Sequence, residues 1–134
     1  MTSSRVFPIL LLAIAVALAC DKTPEEPATP GTAVVSFATP NEDDGGLLLT
    51  LRGPGLTAVR SSSSEYVVYW RLVGPEEARV MVLGDILPGP LFTVELAAAN
   101  RLDEYAASID QVATRNDALR GGASGYELQL VQQE

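Results

Sequence analysis

The chain has 134 residues, is 47% hydrophobic, and carries 9 Lys+Arg against 17 Asp+Glu, with no His and one Cys. Such a length fits one small domain, and the missing His excludes Ser-His-Asp and Cys-His catalysis and His-based metal ligation. The lone Cys excludes an intrachain disulfide, a Cys-rich zinc site and an iron–sulfur cluster, while a net charge of -8 argues against nucleic acid, whose binding draws on a basic face.

At the N-terminus, Arg5 precedes a low-polarity run over residues 6–19. At 14 residues it falls short of the roughly 20 that a spanning helix needs, and it fits the apolar region of a signal peptide over residues 1–19. The run closes on Ala17-Leu18-Ala19-Cys20, and Cys20 is the only cysteine. This layout resembles the lipobox of bacterial lipoproteins. The resemblance implies that the Cys20 thiol receives a diacylglycerol, that cleavage falls just before it, and that the new amino terminus is acylated, typically with palmitate. Small side chains suit the cut, and only a thiol forms the thioether. Ala17 stands where the family usually has Leu. Ordinary cleavage after the Ala17-x-Ala19 site is the alternative, leaving an unlipidated Cys20. Several acyl chains hold a domain firmly, at about 0.8 kcal/mol per buried CH₂. The expected location is therefore outside the cytoplasm, lipid-anchored in the bacterial cell envelope. Asp21 resembles an inner-membrane retention signal of enterobacterial lipoproteins, a rule that does not hold across bacteria, so inner or outer membrane stays open. Loss of residues 1–19 removes Arg5 and deepens the net charge from -8 to -9.

Residues 20–31 hold the lipidation site and a tether, with Pro24, Pro27 and Pro30 and no large apolar side chain after Cys20. Such a stretch buries too little surface to fold and favours extended polyproline II. Residues 32–134 then change to short apolar runs separated by Gly, Pro, Asn, Asp and Ser. Strands are expected over 33–39, 47–52, 56–60, 65–73, 78–83, 91–96 and 126–131. Turn signals every 8–14 residues match an all-β sandwich.

The segment 101–114 reads two ways. Leu102, Tyr105, Ala106, Ile109, Val112 and Ala113 recur at helical spacing, with Asn100 as an N-cap. As a strand, Tyr105, Ala107, Ile109, Gln111 and Ala113 share a face, less cleanly. A helix here would make the fold α+β.

Several short pieces carry a resemblance across nearly all of residues 32–132: Val35-Ser36-Phe37 with Thr39-Pro40-Asn41, Asp44-Gly45 before 47–51, Gly53-Pro54, Val82-Leu83-Gly84, Pro88-Gly89-Pro90, Tyr105 to Ala113, Leu119-Arg120 and Gly125-Tyr126-Glu127-Leu128. Together they resemble uncharacterised bacterial lipoproteins with a compact cohesin-like or immunoglobulin-like β-sandwich. That resemblance implies an all-β fold, a strand over 101–114, and a surface for docking protein.

The run 65–73 alternates Tyr66, Val68, Trp70, Leu72 with Val67, Tyr69, Arg71, Val73. The first set is wholly apolar, which places Trp70 in the core, as on the central strand of an immunoglobulin-like sandwich. Tyr69 beside Arg71 is the better candidate for an exposed ligand contact, such as a platform for a sugar ring. In Asn41-Glu42-Asp43-Asp44-Gly45 oxygens alternate as in calcium loops, making Asn41, Asp43 and Asp44 candidate metal ligands. An EF-hand-like loop needs a bidentate Glu where Arg52 stands, and a solvated acidic turn explains the same residues. The remaining acids are scattered, and the serines of 61–64 lack a base, so neither an enzyme nor a cofactor is expected. The expected function is a membrane-anchored binding module in the envelope with another envelope protein as partner. The alternatives are a carbohydrate- or calcium-binding domain and a purely structural component.

Overall fold

The computed structural model describes residues 24–134, so Cys20 and the expected signal segment lie outside the described residues. Eight strands follow in chain order: β1 (Gly31–Ala38), β2 (Asp44–Arg52), β3 (Leu56–Ser61), β4 (Val67–Gly74), β5 (Glu77–Leu83), β6 (Gly89–Leu96), β7 (Ala106–Thr114) and β8 (Glu127–Gln133). They form two four-stranded sheets, ordered β3-β6-β1-β8 and β4-β5-β2-β7, with every pairing antiparallel. The protein is an all-β sandwich. Only β4 and β5 form a hairpin within one sheet; every other connection crosses to the opposite layer.

The layers are held by the inward halves of the alternating strands. Ala33, Val35 and Phe37 of β1 and Phe92, Val94 and Leu96 of β6 face Leu47, Leu49 and Leu51 of β2 and Ala78, Val80 and Val82 of β5, all buried. Tyr66, Val68 and Trp70 pack against this core while remaining partly exposed. The expectation of Trp70 on a central strand is corrected here. Strand β4 lies at the edge of its sheet and pairs only with β5, so no strand flanks Trp70 on its far side and it is only partly buried.

Within 101–114 the residues Ala106–Thr114 form strand β7, not a helix. Leu102–Glu104 make a single 3-10 turn without a side-chain cap. Asn100, the expected N-cap, turns instead to the tether: Nδ2 donates to Pro27 O at 3.2 Å and Oδ1 accepts from Thr29 N at 2.8 Å. Pairing shifts between Leu48 and Leu49 on β2, leaving Asp110 of β7 as an extra bulged residue. Past the bulge the parity reverses, so Val112 rather than Gln111 points inward. That reversal gave the sequence its imperfect alternation. The Pro-rich tether is likewise not free along its whole length, because Thr29 O also accepts from Ala99 N at 2.8 Å and Arg101 donates to Glu26 O.

Candidate functional site

Register places three successive cross-strand rows over most of the outward half of β4-β5-β2-β7. Val67 lies beside Leu83, then Gly46, then Ala113; Tyr69 beside Met81, then Leu48, then Gln111; Arg71 beside Arg79, then Thr50, then Ser108. The first two rows are largely apolar yet open to solvent: Tyr69 is 61% exposed, Met81 41% and Leu83 39%. Leu119 joins their margin through an isolated bridge to Ala113 and is itself exposed. Gly46 leaves no side chain in its row, and a shallow recess of about 120 Å³ forms there, walled by Leu48, Met81, Leu83 and Leu119. A larger recess of about 380 Å³ lies among Leu48, Tyr69, Arg71, Arg79 and Met81. Clustered exposed apolar side chains of this kind mark interaction surfaces, whereas single ones do not.

Of these three rows the third alone is charged, and beyond it Arg52 lies 3.8 Å from Glu77. The bulge turns Asp110 outward, where its carboxylate accepts from Thr50 Oγ1 at 2.5 Å and lies 3.6 Å from Arg79. Arg71, directly opposite Arg79, has no ion-pair partner among the described residues. Tyr69 and Arg71, the two candidates for ligand contact, thus stand together at the rim of one recess. Replacing Thr50 by Val, which keeps the shape and removes the hydroxyl, is expected to lower stability by about 1 kcal/mol, read by urea denaturation.

The other candidates meet elsewhere, at the end of the sandwich where β1 turns into β2. Asp44 is fully buried. Its Oδ2 accepts from Thr39 Oγ1 at 2.6 Å, and its Oδ1 accepts from Tyr126 OH at 2.8 Å and Arg120 Nε at 2.9 Å. Asp43 accepts from the other arm of the same guanidinium. Asn41 Nδ2 donates to Tyr126 OH at 2.7 Å, and the Tyr126 ring stacks on Phe37. Burial alone pushes the Asp44 carboxyl up, but the hydrogen bonds from Thr39, Tyr126 and Arg120 outweigh it and hold the group below its ordinary value. Arg120 already supplies the positive charge between Asp43 and Asp44. The arrangement ties both acids to one guanidinium at this end of the sandwich.

Sequence reasoning singled out Tyr69 and Arg71 but not Leu48, Met81, Leu83 or Leu119. A signal was present, since Met81 and Leu83 make the end of β5 apolar on both faces, unlike a strand with one solvated side. Arg120 and Tyr126 carried no such signal. The site is therefore an open, largely apolar face on an all-β sandwich, bordered by two arginines. Comparison with protein-family models, curated proteins and solved structures yields no match.

Proposed function

We propose that this chain is a bacterial lipoprotein acylated on Cys20, whose sandwich is an interaction module of the cell envelope. In this reading a partner protein docks its own apolar side chains over Leu48, Met81 and Leu83. The observation that carries the reading is the pair of adjacent exposed apolar rows on β4-β5-β2-β7. The resemblance to cohesin-like lipoproteins points the same way, toward docking of protein. The tether supports the choice of partner. Residues 26–29 are held against the domain, leaving residues 21–25 between it and Cys20. An anchored domain on so short a leash meets other envelope proteins first.

The test places a photo-crosslinking residue at Met81 of the full chain in cells, with Glu95 on the outer face of the other sheet as the control position. A discrete adduct is expected from position 81, lost on Leu83→Glu and absent from position 95. Membrane fractionation of Cys20→Ser, expected to release the protein, checks the anchor. Identical adducts from both positions, or none, would sink the docking reading. The larger recess beside the exposed Tyr69 ring favours a second reading, a glycan stacked on that ring. Soluble envelope glycan would then bind, and Tyr69→Ala would abolish its binding.

A further inference from the structure

Strand β4 is an unprotected sheet edge. Native edges are blunted by shortness, prolines, charges, bulges or a covering segment. Among the other edge strands, β3 is short, carries Arg60 and slips register between Leu56 and Ala58. The rim of β7 is bridged by the segment around Leu119, where Arg120 N donates to Val112 O at 2.9 Å. Strand β8 is half polar, with Glu127, Gln129, Gln132 and Gln133. In β4, residues 67–73 hold one charge, Arg71, and no proline, and the register shifts only at its end, between Leu72 and Gly74. Leu72 belongs to the inward-facing set yet is 52% exposed, because no strand continues the sheet beyond it.

The order of residues on this edge is self-complementary. Turned about a two-fold axis through Trp70, Val67 meets Val73, Val68 meets Leu72, Tyr69 meets Arg71, and Trp70 meets its own copy. Each pair lies on one face, so both faces of the sheet continue across the seam. Arg71, which has no acidic partner among the described residues, gains the face of a tyrosine ring, a favourable cation–π placement. A register centred on Arg71 sets that cation against itself, which cross-strand pairing disfavours. One centred on Tyr69 sets Arg71 against Val67 and Glu65 against Val73. Of these three registers, the Trp70-centred one alone leaves no charge opposite itself or an apolar side chain across 67–73.

We propose that two copies of this chain pair antiparallel along β4 about Trp70, extending β4-β5-β2-β7 from four strands to eight. The contact is isologous, the same surface on both copies, and closes at two. It is independent of docking over Met81 and Leu83, which leaves the β4 edge unused.

The test co-expresses two differently tagged full chains and measures capture of one by the other after membrane solubilisation. The unaltered chain is expected to co-capture. Tyr69→Lys places a cation opposite Arg71 of the second copy and is expected to cut capture about tenfold, whereas Tyr69→Glu places a carboxylate there and is expected to retain it. Adding Arg71→Glu to Tyr69→Lys is expected to restore capture. Tyr69 is exposed, so none of these variants disturbs the core. Leu83→Glu, one strand in from the edge, is expected to leave capture unchanged. Absence of capture by the unaltered chain, an equal response to Lys and Glu, or loss on Leu83→Glu would each overturn the proposal.

Discussion

Replacing Asp44 by Ala is expected to lower stability by about 3 kcal/mol at neutral pH, because a buried charge partner is removed and three donors lose their acceptor. Thr39, Tyr126 and Arg120 all donate to that carboxylate, and together they tie the β1–β2 turn to the approach to β8. Asp44→Asn keeps the shape and one acceptor oxygen, so its loss is smaller and isolates the charge. The carboxyl is held below its ordinary value in the folded protein. Its contribution is therefore complete above the unfolded-state value of about 4 and disappears as pH falls through the lower folded value. Urea denaturation across a pH series is expected to show the unaltered protein more stable than Asp44→Asn at pH 7, with the gap closing below about pH 4. A gap that stays constant into acid would show that the charge of Asp44 stabilises nothing.

Gly53→Ala is expected to cost about 3 kcal/mol or more, since it combines backbone strain with a steric collision. Gly53 has φ +145, a conformation that side chains rarely adopt, and an added Cβ would stand 2.1 Å from Cδ1 of Tyr105. The ring cannot simply withdraw. Tyr105 OH donates to Pro54 O at 2.5 Å and accepts from Ala98 N at 3.1 Å, which pins the β2–β3 turn to the loop before β7. Moving the ring breaks both bonds and leaves buried polar groups without partners. Tyr105→Phe separates the contributions, keeping the ring and removing the bonds, with an expected loss of about 1–2 kcal/mol. Gly121→Ala, where an added Cβ meets nothing within 4 Å, is the neutral control. Equal stability of the Gly53 and Gly121 variants in urea would refute this account.

Most of the sandwich was legible because its signals are local. Alternation and turn residues marked β1 to β6 and β8 to within a few residues, since a strand declares which side chains share a face. What alternation does not declare is which strand lies alongside. Trp70 illustrates this: its apolar face was read correctly, but the edge position of β4, and with it the partial exposure of Trp70 and Leu72, depends on pairing with β5 alone. The bulge at Asp110 hid β7 in another way, by reversing the parity midway so that helix and strand patterns competed. At the candidate sites, Tyr69 and Arg71 are neighbours in sequence and were found together. The acidic turn at Asn41 to Asp44 invited a cation, yet its counter-charge comes from Arg120, 76 residues from Asp44. No local pattern names a partner at that separation.

The wiring of the two layers governs when this chain can fold. Strand β1 lies between β6 and β8, and Thr32 pairs with both Glu95 and Gln133. That sheet is complete only once β8 is in place on β1. The β4–β5 hairpin is the most local pairing; β2 also joins β5, which ends at Leu83, and β1 and β3 join β6, which ends at Leu96. Closing such long loops before any reward makes folding slow, on the order of milliseconds to seconds. Each sheet is completed by an edge strand from the C-terminal part of the chain, β7 on β2 and β8 on β1.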